Sequence, residues 1–311
     1  LKDYRLTRSL TKADLLVDGY FRRGPALGTD LAWETEDGAG ALFAYGIFED
    51  SGKDLLKPGT ERDRDDDTRG IILMEQHWRA DENWDILAEG SYLSDETIID
   101  GFFEPLGETR REFTNRLQAT YPEENTQFSA NLKGSFNDFI ANEYLLQSQG
   151  YSVDKLPEFR YLRQADEFLE ESFPGTFRWY QEWTAGRVAF NFDDVLARER
   201  GFDTPTLSQR AFGISPNESL ENLLRGQGLS ENNVTRVDTR HELEGRFDVG
   251  PIRVVPFVVA RGTWWDDSFE TFAPQKSDDY RYWTSVGTTF ETTITRIDNS
   301  AESRLLDIHR I

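Results

Sequence analysis

Between residues 126 and 137 the side chains alternate strictly. Phe128, Ala130, Leu132, Gly134 and Phe136 fall on one side; Gln127, Ser129, Asn131, Lys133, Ser135 and Asn137 fall on the other. A strand turns successive side chains to opposite faces, whereas a helix smears a period of two around its axis. The segment is therefore a strand with one apolar and one wet face. Trp84, Ile86, Ala88, Gly90 and Tyr92 oppose Asp85, Glu89 and Ser91 in the same way. Phe113, Leu117, Ala119 and Tyr121 oppose Thr114, Arg116, Gln118 and Thr120, and Leu243, Gly245 and Phe247 oppose Arg240, Glu242, Glu244 and Arg246. In 252–261 the alternation is weaker, because Val255, Phe257 and Val259 make that strand apolar on both sides. Further strands fit at 13–23, 27–35, 40–49, 69–79, 156–163, 176–192 and 280–293. The total is about twelve. Strands of soluble proteins usually run about five to six residues. A tilted strand that crosses a bilayer needs roughly nine to eleven, and several runs here are of that length.

The connections carry a second signal. Short turns fall at 36–39, 80–83, 122–125 and 249–250, and long polar loops at 50–68, 94–110, 139–155, 193–234 and 266–279. Short and long connections alternate, as in outer-membrane barrels with short periplasmic turns and long outer loops. Two connections break the rule. The turn at 22–25 is short where a long loop is due, and 164–175 is long where a short turn is due. The loop 193–234 should contain one short helix, since Pro216-Asn217-Glu218-Ser219-Leu220-Glu221-Asn222-Leu223-Leu224 offers a capped apolar face ending near Gly226. No internal repeat of fixed period is present.

Composition narrows the function. Asp and Glu number 57 against 35 Lys and Arg, a net charge of -22, so nucleic acid is excluded as a partner for want of a basic face. There is no cysteine, hence no disulfide, thiolate metal site or thiol nucleophile. The three histidines, His77, His241 and His309, are far apart in sequence, which argues against a histidine metal site. The acidic run Glu61-Arg62-Asp63-Arg64-Asp65-Asp66-Asp67 lacks the glycine and glutamate spacing of a calcium-binding EF-hand and reads as a solvated loop. No nucleophile elbow or glycine-rich phosphate loop occurs. His77 should share the wet face with Glu75, and His241 should share a face with Leu243; both read as strand filler. No catalytic residue, metal or cofactor is assigned, and the chain is not expected to be an enzyme. Aromatic residues reach 13 %, too many for a disordered chain of this charge. A soluble β protein and an outer-membrane barrel, which needs no long apolar run, both accommodate them. The only methionine is Met74, so the chain reads as a piece of a longer protein.

Short segments follow one another in a fixed order along the chain. Tyr20-Phe21-Arg22-Arg23-Gly24 is followed by Leu31-Ala32-Trp33-Glu34. Asp67-Thr68-Arg69, Gln76-His77-Trp78, Gly90-Ser91-Tyr92-Leu93-Ser94-Asp95 and Ile99-Asp100-Gly101-Phe102-Phe103 come next. Thr235-Arg236-Val237 then opens a strand pair that carries Pro256 and closes in Trp264-Trp265. This series resembles the barrel of the LptD family (organic solvent tolerance proteins), the outer-membrane proteins that assemble lipopolysaccharide, with the first two segments similar to its start. No single segment is specific; the order and the loop lengths carry the likeness over nearly the whole chain.

The resemblance implies an all-β, antiparallel, up-and-down outer-membrane β-barrel. About its N-terminal half would be present, as an open curved sheet spanning 1–311. It implies a translocon that inserts lipopolysaccharide into the outer leaflet through a polar lumen and a lateral gate. The implied partners are lipopolysaccharide, an LptE-type plug lipoprotein, an LptA-type periplasmic bridge through an N-terminal domain, and outer-membrane lipid. Lumen-facing candidates are Asp18, Asp30, Glu75, Glu89, Arg116, Lys133, Arg240, Glu242, Arg253 and Arg261. Their mixed signs argue against a simple ion-selective pore. Prolines that weaken the family's gate strands fall, on this match, near Thr11 and Gly19, and the family's paired cysteines are absent. Tyr45, Phe48, Trp78, Trp84, Tyr92, Tyr121, Phe136 and Trp264 would form interfacial girdles. A general porin or receptor barrel and a soluble carbohydrate-active β protein are the alternatives.

Overall fold

The computed structural model describes residues 10–56, 59–63, 68–80, 83–108, 112–137, 150–169, 171–173, 176–266, 270, 272–275 and 278–293, with the backbone of 295–296 and 309–310. The chain opens with β1 (Leu10–Tyr20), β2 (Gly24–Thr35) and β3 (Gly38–Phe48). A small separate hairpin of β4 (Lys53–Leu55) and β5 (Glu61–Asp63) precedes β6 (Thr68–Arg79) and β7 (Asp85–Leu93). Helices α1 (Ile98–Phe102) and α2 (Glu104–Glu108) lead to β8 (Asn115–Glu123), β9 (Thr126–Gly134), β10 (Tyr151–Phe168) and β11 (Phe177–Phe192). Helices α3 (Pro205–Phe212) and α4 (Leu220–Gly226) precede β12 (Val234–Gly245), β13 (Phe247–Val249), β14 (Ile252–Trp265) and β15 (Tyr280–Thr292). Thr295–Arg296 (β16) and His309–Arg310 (β17) pair with each other.

Thirteen of these strands form one antiparallel sheet in chain order. β13 continues β12 in unchanged register on β14: Glu244 faces Phe257 and Phe247 faces Val254. The sheet is open. Among the described residues β1 pairs only with β2, and β15 only with β14, as the up-and-down reading requires.

All the long connections (49–67, 94–114, 135–150, 193–233 and 266–279) lie at one end of the sheet. The short ones lie at the other, except the tight β1–β2 turn. There Arg22 takes a positive φ of 72°. At Gly24, φ is 84° and a Cβ would lie 2.0 Å from the Phe48 carbonyl oxygen, so only glycine fits.

Registers also reveal the stagger. A row of directly opposed residues runs Lys12, Ala32, Ala41, Glu75, Glu89, Arg116, Lys133, Lys155, Val188, Val234. It begins near the short-turn end of β1 and finishes at the loop end of β12. Taken across the whole sheet the strands are displaced along one another, as the shear of a closing barrel requires, though the displacement is not equal at every pair.

Two boundaries differ from the sequence reading. The strand placed at 156–163 runs from Tyr151 to Phe168, so the loops expected at 139–155 and 164–175 shrink. The cause is two bulges, between Lys155 and Glu158 and between Arg163 and Asp166, with Ala165 at φ 57°. Each bulge inserts extra residues, flips the phase of alternation and makes a continuous strand look finished. The loop 193–233 holds two helices rather than one. Beside the expected α4, capped by Ser219, lies α3, where the Thr204 hydroxyl accepts from the Leu207 N–H and Pro205 stands in the first turn. Ala197, Phe202, Ala211, Phe212, Ile214 and Leu220 give this loop a small core of its own. Residues 64–67 of the acidic run and Ala141 and its neighbours in 138–149 lie outside the described residues.

Candidate functional site

Opposed residues on neighbouring strands share a face, so the registers sort every side chain. Leu132 faces Leu117, Ala130 faces Ala119 and Phe128 faces Tyr121. Followed outward, this face carries Val17, Leu27, Ile72, Met74, Tyr92, Phe159, Trp183, Leu243, Val258, Trp264 and Val286. All of them are exposed, from 39 % at Met74 to 76 % at Val286. A soluble sheet buries such a face against a second layer; here no second layer covers it among the described residues, and monomeric soluble proteins rarely expose apolar patches beyond a few hundred Å².

The opposite, inner face carries the charge. All ten lumen candidates fall on it. Asp18 faces Ala26, Asp30 faces Asp14, and Glu75 faces Glu89, which faces Arg116, which faces Lys133. Arg240 faces both Glu182 and Arg261, Glu242 faces Tyr180, and Arg253 faces Asp248 and Glu291. Charges are largely answered within the face. Arg116 donates to Asn131 at 3.1 Å and to Gln118, Lys133 pairs with Glu112, Arg240 with Glu242, and Arg261 with Asp238 at 3.1 Å. Sequence reading missed Lys155, Arg160 and Glu158 on this face, because the bulges hid the phase of β10. His77 lies on the inner face and pairs with Asp85. His241 lies on the apolar face, its ring 5.8 Å from Trp179 and 5.6 Å from Trp183. Thr11 and Gly19 both sit on the free edge strand. The Thr11 hydroxyl donates to the Ala32 carbonyl at 3.1 Å, while Gly19 opposes Pro25 with open space around it.

Most girdle candidates lie on or lead from the apolar face, including Trp84, whose ring is 5.1 Å from Tyr121. Tyr45 does not. It is on the inner face, donating to Asp18 at 2.7 Å and lying 3.0 Å from the Tyr20 hydroxyl. Its ring meets Phe103 edge-on at 5.6 Å. The reason is a local inversion. Near the loop end the inner face itself turns apolar, through Ala26, Tyr45, Ile47, Ile71, Leu73 and Leu93. Helix α1 and the residues after it fold down on this patch, so that Ile98, Ile99 and Phe113 are buried on it and Phe102, Phe103 and Leu106 lean against it. Each fully buried side chain of this kind contributes about 1.5–3 kcal/mol.

A polar knot ties the same region together. The Arg69 side chain is 0 % exposed and pairs with Asp50 at 3.0 Å, Asp54 at 2.9 Å and Asp95 at 2.8 Å. Arg23, delivered by the tight β1–β2 turn, pairs with Asp50 at 3.1 Å and with Asp54. Both guanidinium groups lie over the Phe102 ring, at 4.2 Å for Arg23 and 5.2 Å for Arg69. The Thr97 hydroxyl donates to Asp54 at 2.7 Å. Among the described residues, no group of three or more His, Asp or Glu has the geometry to hold a metal ion.

Burial pushes the Asp54 carboxyl up, but hydrogen bonds from Arg69, Thr97 and Arg23 outweigh it and hold the group below its ordinary value. A lowered folded-state value means that this stabilisation is complete above the ordinary 3.8 and is lost as pH falls through the folded value. Thermal unfolding of the parent and of Asp54→Asn at pH 7, 5 and 3 should therefore differ equally at the first two and converge toward the third. A gap that already narrows between pH 7 and 5 would contradict the sign.

No family model matches the chain, and no curated protein matches it. Among solved structures it is similar to one described as "Copper transporter OprC", with a TM-score of 0.31 and 10 % identity over 93 % of this chain and 42 % of that one. The chain thus spans less than half the length of that protein, and a likeness at this level bears on neither mechanism nor substrate.

Proposed function

We propose that this sheet is part of an outer-membrane β-barrel, with the face of Leu132 toward lipid and the face of Lys133 toward an aqueous lumen, and that the barrel inserts lipopolysaccharide into the outer leaflet. The observation that carries the membrane reading is the exposed, largely apolar face, opposed by a charged one across a sheet whose main strands run nine or more residues. The orientation follows from the loops: the long connections face outward from the cell and the short turns face the periplasm.

The substrate rests on the resemblance to the LptD family and on chemical fit. Lipopolysaccharide carries a sugar chain that wants hydration and acyl chains that want lipid. A charged lumen serves the first, and a seam at the edge strand β1, paired on one side only among the described residues, where Gly19 offers no side chain to its surroundings, would serve the second. The partners are then lipopolysaccharide itself, an LptE-type plug, an LptA-type bridge and outer-membrane lipid. No step of this function is covalent, and no cofactor is called for.

Depleting the full-length protein should reduce lipopolysaccharide at the cell surface and cause it to accumulate inside. The protein should fractionate with outer membranes, and protease added to intact cells should cut within 49–67 and 193–233. Unchanged surface lipopolysaccharide, with the protein still in the outer membrane, would favour a general porin or receptor. A freely soluble protein would end the barrel reading.

A further inference from the structure

The apolar patch at the loop end of the inner face is covered by 94–108 of this chain, and a second segment, 49–56 with 59–63, is tied to that cover where Asp54 meets Thr97 and Gly101. We infer that these segments form a lid over the lumen mouth, and that the buried Arg69 cluster is the latch that holds it down. This rests on the reading of the inner face as a lumen.

The geometry has a firm root and a light lip. At the root, four separate pieces of chain meet at Arg69: the strand that bears it, the turn that delivers Arg23, the first segment through Asp50 and Asp54, and the second through Asp95 and Thr97. Arg69 pairs with both covering segments and also belongs to the wall of the sheet. The packing is made for this contact. In α1, a Cβ at Gly101 would lie 2.5 Å from the Asp54 Oδ1, so a larger residue there would push the carboxylate out of the cluster. At the lip, the first segment reaches across to the connection between β11 and β12. The Thr60 hydroxyl donates to the Gly201 carbonyl at 2.7 Å and Arg62 donates to the Arg198 carbonyl at 2.9 Å. An ion pair at this lip, Arg62 with Glu199, is 3.9 Å long, and a polar cleft of about 420 Å³ opens beside it.

Segments that only lined the wall would not touch the far side. The first segment runs from the β3–β6 side of the sheet to the connection between β11 and β12, and the second packs against it at Asp54, so the pair is placed to span the opening. Buried ion pairs add little net stability over apolar packing, yet they respond steeply to the loss of one partner. A lid whose root is charged is therefore held in one position or released, with little between. Release would expose Leu73 and Ile71 on the inner wall.

The chain has no cysteine, so within it a single cysteine reports access without background once any cysteine elsewhere in the full-length protein is replaced by serine. Full-length protein in lipid vesicles would carry Leu73→Cys beneath the lid, Asn131→Cys on the inner face away from it, or Leu132→Cys on the lipid face. Each would be treated with a charged, water-soluble maleimide. Adding Arg69→Met or Gly101→Ala should speed labelling of Leu73→Cys at least tenfold while leaving that of Asn131→Cys unchanged. If neither substitution changes the Leu73→Cys rate, the cover is fixed and the latch is wrong. Gly101→Ala removes no charge, so it decides alone if Arg69→Met fails to insert. Leu132→Cys should stay shielded in every background; free labelling there would overturn the membrane reading whatever the Leu73→Cys result.

Discussion

Arg69→Ala should cost roughly 3–5 kcal/mol of unfolding free energy, the usual result of removing one partner from a buried ion cluster. The cost comes from what is left behind. Asp50 and Asp54 side chains are 0 % exposed and Asp95 is 5 % exposed; all three carboxylates would lose the guanidinium they share, leaving Arg23 to pair with Asp50 and Asp54. Neutralising the acids together with the arginine should recover much of the loss, since an apolar or neutral cluster of similar volume is often no less stable than the ion pairs. Denaturant titration of full-length protein in vesicles would measure both variants, with an unchanged m-value as evidence that the same structure unfolds. A loss below about 1 kcal/mol, the range of exposed salt bridges, would mean that water reaches the cluster.

The cluster also marks where sequence reading stops. Strand positions were legible wherever one face is apolar and the other wet. In β9 the alternation from Gln127 to Gly134 gives both the strand and its faces, and the register agrees at each position. In β6, expected at 69–79 and found at Thr68–Arg79, the strand was legible but its faces were not, because Gly70, Ile71, Ile72, Leu73 and Met74 are apolar or small on both sides, the inner wall being covered and the outer exposed. The alternation fails in β10, where the bulges change which parity faces inward. Arg69 and Asp95 lie within segments that carry the resemblance to the LptD family, yet nothing in the sequence pairs them. They are 26 residues apart, and with 57 acids in the chain any arginine has many possible partners. Only the fold selects among them. The ten inner-face candidates were legible for a simpler reason: a parity rule along each strand does not require knowing the partners across it.

Division of labour along the inner face follows from the same observations. The half near the short turns holds charges that answer one another, such as Arg240 with Glu242 and Arg178 with Glu167 at 3.2 Å. On β2, β3, β6 and β7 the half near the loops is apolar and covered, while Arg116 and Lys133 keep it charged on β8 and β9. A hydrated solute entering from the short-turn side would meet a wet, mixed-sign wall first and the lid last. This ordering suits passage toward the outside with release controlled at the mouth, and it ties the proposed lid to the proposed direction of transport.

Leu132→Arg should cost about 2–4 kcal/mol in the intact protein if its site lies near mid-bilayer, whereas Asn131→Arg should be nearly neutral. The two residues are chain neighbours, and the pleat points them to opposite faces. Leu132 is 42 % exposed on the apolar face opposite Leu117, so an arginine there would meet lipid. Asn131 lies on the inner face, directly across from Glu158 on one side and Gln118 on the other. A guanidinium at that position gains an acid partner and remains near water, at the expense of the 3.1 Å hydrogen bond from Arg116, which keeps Gln118. A soluble sheet that buried Leu132 would also suffer from the first substitution, so the sign alone does not separate the two cases. Bilayer thickness does. In a membrane strand the cost of a charge depends on its depth, so Leu132→Arg should be penalised differently in thin and thick bilayers while Asn131→Arg is not. Equal costs for the two variants, or a Leu132→Arg cost indifferent to thickness, would remove lipid from that face.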